Sequence, residues 1–263
     1  MPRIFVISHH LIEPPYGRGK MYRKLVIPWN TSDRHRRKFI KRHGVYLDGN
    51  KPVEGEVYFW SEYEPQSTCT VVNSSLPKAI HDCLCHVRKA TVPPNALNTD
   101  PYVFGDHFKH ICCRMGNAKY QQGDVLLFGQ MTKGTSSYKM LLDTVIVIKE
   151  KVPINHTLNM TQYYKASIEP LHKKKDFFYR GYNFGENKVC FSYVPCLLKY
   201  PKNPPSTGMP TPVLNLTTLG FNVKRGWYGF VAKAIPFSKK KWDKIIDAVI
   251  NQDWQIGTHI DKI

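Results

Sequence analysis

The sequence predicts an α+β fold, with a mixed or antiparallel, barrel-like sheet as its core and helices at the periphery. Three observations carry that prediction. Two apolar runs, Val125-Leu126-Leu127-Phe128-Gly129 and Met140 to Lys149, flank the turn-forming segment Lys133-Gly134-Thr135-Ser136-Ser137 and read as a core hairpin. Most other apolar runs are short, β-branched or aromatic. Only residues 76–89 and 239–251 space their apolar residues as an amphipathic helix does.

Along the chain, Arg3 to Ser8 is a β-branched and aromatic run and reads as a buried first strand. Pro14-Pro15-Tyr16-Gly17-Arg18-Gly19 breaks the chain into a loop. Arg34 to Arg42 follows Ser32 and Asp33, either of which can cap a helix. With Phe39 and Ile40 as its apolar face, the segment is expected to form a basic surface helix. Glu56 to Trp60 and Cys69 to Val72 read as strands, and Leu76, Ile80, Leu84 and Val87 mark a helix that Pro93-Pro94 ends. Beyond Pro153 the better strands are Phe177 to Tyr182, Val189 to Val194 and Gly226 to Val231, with a proline-rich loop at Lys199 to Pro212. Ser238 caps a last helix whose stripe is Trp242, Ile245, Ile246, Val249 and Ile250. The 263 residues, 42% hydrophobic and 13% aromatic, suffice for a sizeable core. The expectation is a single domain over 1–263, with the sheet core within about 1–155 and an extension of short strands and a helix at about 156–263.

The central hairpin and the opening strand Arg3-Ile4-Phe5-Val6-Ile7-Ser8 resemble the corresponding parts of the PUA-like superfamily, which includes EVE, ASCH and YTH domains. In overall character the chain also resembles the nucleotide modification associated families. The PUA-like resemblance implies a small β-barrel with flanking helices that binds RNA or DNA. In EVE and YTH members it implies an aromatic pocket for a modified base.

Charge gives a separate indication of function. Lys and Arg total 38 against 20 Asp and Glu, a net charge of +18. Such a surface draws phosphates, so nucleic acid or a nucleotide is the expected partner, ahead of an anionic membrane surface or a merely solvated basic face. The densest segment supplies the phosphate-binding candidates Arg34, Arg36, Arg37, Lys38, Lys41 and Arg42. Lys173 to Lys175 and Lys239 to Lys241 add to the field. The candidate base- or nucleotide-binding residues are Tyr58, Trp60 and Tyr63, because flat rings beside Glu62 and Glu64 offer both stacking and hydrogen-bond acceptors. Against this, aromatic residues in strands mostly fill cores.

An alternative is an enzyme that modifies a nucleotide or nucleic acid, with Glu62, Glu64, His81 and His86 as acid and base. Zinc is the only cofactor any spacing suggests. Cys83, Cys85 and His86 with His110 and Cys112 bring thiolates and imidazoles in two short clusters, though without the common Cys-x2-Cys spacing. The competing reading is of small buried thiols and ordinary histidines. Gly17-Arg18-Gly19-Lys20 lacks the spacing of a phosphate loop, and no serine-hydrolase, zinc-protease or dinucleotide fingerprint is present. No apolar run approaches the roughly 20 residues of a membrane helix, and the short run at the start does not read as a signal peptide. A cytoplasmic protein with reduced cysteines is therefore expected.

Overall fold

The computed structural model describes residues 1–8, 36–63, 101–110, 120–153, 177–200, 211–226 and 229–261. Thirteen strands and one helix lie among them. The core of the fold is the expected hairpin. β5 (Val125–Lys133) and β6 (Tyr138–Pro153) pair antiparallel from Val125↔Val147 to Lys133↔Tyr138. Their alternate residues face two different cores: Leu126, Phe128, Ile146 and Ile148 lie in one cluster, and Val125, Leu127, Val145 and Val147 in the other. Burial on both faces explains why the run is continuously apolar. At the bulge beside Phe128, a Cβ on Gly129 would stand 2.0 Å from the Leu141 carbonyl oxygen, so only glycine fits there.

β1 (Arg3–Ser8) lies parallel to β5, and β12 (Ile235–Pro236) extends the sheet beyond it. The other edge of β6 is filled in succession by three segments. β9 (Val213–Asn215) pairs Lys139 to Leu141, Tyr193 bridges Val145, and β7 (Phe177–Gly181) pairs Ile148 to Pro153. β4 (Lys109–His110) then pairs β7.

The second sheet is built on a long hairpin. β2 (Arg36–Asp48) pairs β3 (Lys51–Tyr63) residue for residue. Their two-residue turn begins with Gly49 at φ 60°, the conformation its first position requires. β13 (Gln255–Ile260) pairs both β2 and β8 (Val194–Leu197), and β8 pairs β3, so these four strands close on themselves. β10 (Val223–Gly226) and β11 (Gly229–Ala232) form a separate ribbon.

The helix α1 (Lys239–Ile250) buries Trp242, Ile245 and Val249, as the spacing requires, and the Ser238 side chain accepts from the Lys241 N–H. It ends with Asp253 in the left-handed region at φ 63°. There the Asp253 N–H donates to the Ile250 carbonyl at 3.0 Å and the Trp254 N–H to that of Val249 at 3.4 Å. This ending turns the chain directly into β13.

Several expectations change. The molecule is mostly β, in several sheets, with the central hairpin in an open sheet and not inside a single barrel. The expected surface helix at Arg34 to Arg42 is strand from Arg36 onward. Its only apolar residues, Phe39 and Ile40, are adjacent and not at helical spacing, and pairing with β3 decides the outcome. The run Gly226 to Val231 is not one strand, since β10 ends at Gly226 and β11 begins at Gly229. The strand expected at Val189 to Val194 starts only at its end. There Ser192 and Tyr193 bond to Tyr182 and Val145 instead. Strands from beyond residue 156 enter both sheets. The expected strand Cys69 to Val72 and the helix at 76–89 lie outside the described residues.

A buried carboxylate ties the first sheet together. Asp124 is 0% exposed and accepts from the Arg3 N–H at 2.8 Å and the Gln121 N–H at 2.9 Å, which joins the starts of β1 and β5. Replacing it by alanine strands two backbone donors in the interior. Asp124→Ala should lower unfolding free energy by roughly 2–3 kcal/mol, read from the denaturant midpoint.

Candidate nucleic-acid interface

The aromatic pocket expected around Trp60 is not open. Trp60 is 1% exposed and belongs to the cluster containing Leu47, Trp254 and Ile256, so its ring is committed to the core and cannot receive a base. Tyr58 is half-buried, packs edge-on to Tyr200 at 5.9 Å and lies beneath Lys41 Nζ, also at 5.9 Å. Two phosphate-binding candidates have protein partners. Lys41 pairs with Glu56 at 2.5 Å, and Arg42 Nε donates to the Asp261 carbonyl at 3.5 Å. For Arg36, Arg37, Lys38, Glu62 and Tyr63 the strand register is described, which sets Arg37 opposite Glu62, but their side chains lie outside it. Arg34, Glu64, His81, Cys83, Cys85, His86, Cys112 and the triplet Lys173 to Lys175 also fall outside the described residues.

His110 is fully buried on β4, with ring centroids of Phe128 at 5.1 Å, Tyr120 at 5.6 Å and Tyr179 at 6.4 Å. Among the described residues no group of three or more His, Cys, Asp or Glu is placed to hold a metal ion. Cys190 and Cys196 are free and buried. Burial pushes the Cys190 thiol up to about 11 and Cys196 higher still, so neither offers a thiolate at neutral pH.

A basic and aromatic surface does form elsewhere, from two hairpins that meet. At the end of the β5–β6 hairpin, where the Gly134 N–H donates to the Ser137 carbonyl at 2.8 Å, Lys133 stands directly opposite Tyr138. In the β10–β11 ribbon Arg225 stands directly opposite Phe230. Residues directly opposite across antiparallel strands share a face. The Tyr138 and Phe230 rings meet edge-to-face with centroids 5.3 Å apart. The result is a continuous row, Lys133, Tyr138, Phe230, Arg225, with a cation at each end and two rings between. The cations are exposed and the rings half-buried against the second core cluster. Tyr138 is fixed on both sides of its peptide: its N–H donates to Thr217 Oγ1 at 3.2 Å, and its carbonyl accepts from the Leu216 N–H at 2.9 Å. On the other face of the ribbon exposed Lys224 stands opposite Val231, which is 60% exposed.

Several cations elsewhere on the molecule are paired. Lys149 pairs with Glu186, Arg180 with Glu150 and Lys239 with Asp243, and Lys241 Nζ donates to the Pro236 carbonyl. Two of the three lysines in the triplet Lys239 to Lys241 are thus used locally. Lys133, Lys139, Lys224 and Arg225 make no ion pair among the described residues. The sequence held a signal for this: between Glu186 and Asp243 it contains no acidic residue, while Lys188, Lys199, Lys202, Lys224, Arg225, Lys233 and Lys239 to Lys241 fall there. That gap in negative charge, more than the density of positive charge, separates this segment from Arg34 to Arg42.

Exposed side chains that make no ion pair among the described residues contribute little to folding. The double variant Lys133→Ala/Arg225→Ala should keep its unfolding free energy within about 0.5 kcal/mol of the wild type in denaturant titration. No family model, no curated protein and no solved structure matches the chain, and its function is read from these residues themselves.

Proposed function

We propose that the protein binds single-stranded nucleic acid, with the row Lys133, Tyr138, Phe230, Arg225 as part of the contact surface. The row itself is the observation that carries this reading. Cations spaced along a groove or ridge follow phosphates, and rings between them stack on unpaired bases irrespective of sequence. In a duplex the faces of the bases are covered by their neighbours, so half-buried rings favour a single strand. The net charge of +18 adds a long-range attraction that speeds encounter. The resemblance of the central hairpin to PUA-like domains, which bind RNA or DNA, supports the same class of partner. A reducing, cytoplasmic setting agrees with buried free thiols at Cys190 and Cys196.

Fluorescence anisotropy with labelled single-stranded RNA, single-stranded DNA and duplexes of each, over a salt series, tests this reading. Wild-type affinity should fall linearly in log–log form with salt, and single strands should bind more tightly than duplexes. The Lys133→Ala/Arg225→Ala variant should lower the salt slope by about 1.4, or 0.7 for each lost phosphate contact on a single strand. Absence of salt-sensitive binding by the wild type, or an unchanged slope in the variant, overturns the proposal.

A further inference from the structure

We propose that Nε2 of His107 is a phosphoryl-acceptor centre, a nucleophile poised to take a phosphoryl group from a small high-energy donor such as an acyl phosphate or a phosphoramidate. The centre lies on the loop closed by the Tyr102 and Lys109 backbones, whose N–H groups donate to each other's carbonyls at 2.9 and 2.8 Å. Its tip carries two left-handed residues in sequence order, Gly105 at φ 72° and His107 at φ 60°. A histidine there is strained, and such strain persists only where the surroundings over-determine it. They do so here. The Gly105 N–H donates to the Ile260 carbonyl at 2.7 Å, the His107 N–H to Asn183 Oδ1 at 3.0 Å, and the Gly181 N–H to the Phe108 carbonyl at 2.8 Å. Val103, Phe104 and Phe108 anchor the loop in the core.

The ring is held in one tautomer. Nδ1 lies 2.8 Å from the Gly181 carbonyl oxygen, which can only accept, so Nδ1 carries the proton and Nε2 the lone pair. Glu186 Oε2 lies 3.5 Å from the same Nδ1, and that carboxylate is itself fixed by Lys149 Nζ at 2.7 Å and the Asn183 N–H at 2.9 Å. Nε2 has no hydrogen-bond partner among the described residues, and the side chain is 14% exposed. This is the arrangement of an activated nucleophile: one nitrogen oriented by its partners, the other left with its lone pair. Burial, above all, lowers the ring below the usual histidine value, with Arg180 and Lys149 adding to the effect against the Gly181 carbonyl and Glu186. The neutral, nucleophilic form therefore predominates at neutral pH. Burial alone would raise Glu186, but Lys149 and the Asn183 N–H outweigh it and hold the carboxylate ionised.

The chemistry balances without moving a ring proton. The Nε2 lone pair forms the N–P bond as the donor's bond to phosphorus breaks: from an acyl phosphate the P–O pair leaves on the carboxylate, and from phosphoramidate in its zwitterionic form, whose nitrogen already carries three protons, the P–N pair leaves as ammonia. Nδ1 keeps its proton on the Gly181 carbonyl. The ring becomes cationic beside the Glu186 carboxylate, while Lys149 and Arg180 provide positive potential for the phosphoryl dianion.

Potassium phosphoramidate is the probe, with intact and peptide mass spectrometry as the readout. One phosphoryl group should appear on His107 faster than on any other histidine, as an acid-labile adduct. Asn tolerates the left-handed region and keeps a donor for Gly181, so His107→Asn should fold and lose the adduct. Glu186→Gln should slow labelling roughly tenfold or more. The wild-type labelling rate should rise with pH through a midpoint below 6.5, and Glu186→Gln should move that midpoint lower because the carboxylate that raises the ring is gone. The other charged groups nearby, Glu150, Asp106, Lys109 and His259, remain in both proteins. Labelling spread evenly over histidines, labelling that survives His107→Asn, or an unshifted midpoint in Glu186→Gln overturns the assignment.

The same ring predicts a stability profile. Its folded value lies below the unfolded value of about 6.5, so the unfolded chain takes up the proton first as pH falls. Stability from this group is complete above pH 6.5 and declines as pH drops from 6.5 toward the folded value. Denaturant midpoints measured across that range should show the decline in the wild type and its removal in His107→Asn.

Discussion

The structure depends on one shared strand. β6 gives one edge to β5 along most of its length, and its other edge takes β9, Tyr193 and β7 in turn. Buried backbone groups must be paired, so a strand of sixteen residues needs a partner along its whole buried length. Here three separate parts of the chain supply it. Where the β7 register shifts, the ladder is completed by a side chain: Ser192 Oγ accepts from the Val147 N–H at 3.1 Å, and the Tyr182 N–H donates to the Val147 carbonyl at 2.8 Å. That repair sets the position of Gly181, where a Cβ would stand 2.3 Å from Ser192 Oγ. Gly181 in turn presents its carbonyl to His107. Strand pairing thereby fixes the histidine from a segment 74 residues away in sequence.

The same strand places the two candidate sites far apart. Its first residue, Tyr138, belongs to the basic and aromatic row, and Lys149, near its other end, fixes the carboxylate beside His107. At about 3.3 Å per residue Tyr138 and Lys149 are separated by roughly 35 Å, so the two candidate sites do not share one surface. The electrostatics differ accordingly. Around His107, Lys149 and Arg180 each have a carboxylate partner and Lys109 Nζ donates to the Asp106 and His107 carbonyls, which limits the local field and makes geometry decisive. Along the row Lys133 and Arg225 make no ion pair among the described residues, so their positive field is not offset there.

What separates the surface row from the core is the fate of aromatic rings. Trp60 and Tyr138 both lie in strands of hairpins and both pack on the second core cluster. Trp60 is 1% exposed, in the cluster that takes Leu47 of β2 and Ile256 of β13 together with Val125 and Leu127 of the first sheet. Tyr138 lies at the turn end of its hairpin, where its ring meets Phe230 of the β10–β11 ribbon and stays half-buried. An apolar ring next to charge in the sequence does not reveal which of these will happen, since the difference is set by strands up to two hundred residues away.

The sequence by itself determined the parts whose physics is local. β1, the β5–β6 hairpin with its turn, and α1 with its serine cap were all legible, because two-sided burial, turn residues and helical spacing act over a few neighbours. The positive charge was equally plain. Only the tertiary structure decided that Arg36 to Asp48 is a strand, because its partner β3 must be in place before its weak local preference is settled. It also decided that Gln255 to Ile260 completes the second sheet, after the left-handed turn at Asp253 aims it there, and that Asp124 clamps a strand starting 121 residues earlier. Lys133 and Arg225 join in one row, and His107 meets Glu186, for the same reason. Chemistry that depends on two side chains meeting is written in the pairing of strands, and that pairing is a property of the whole chain.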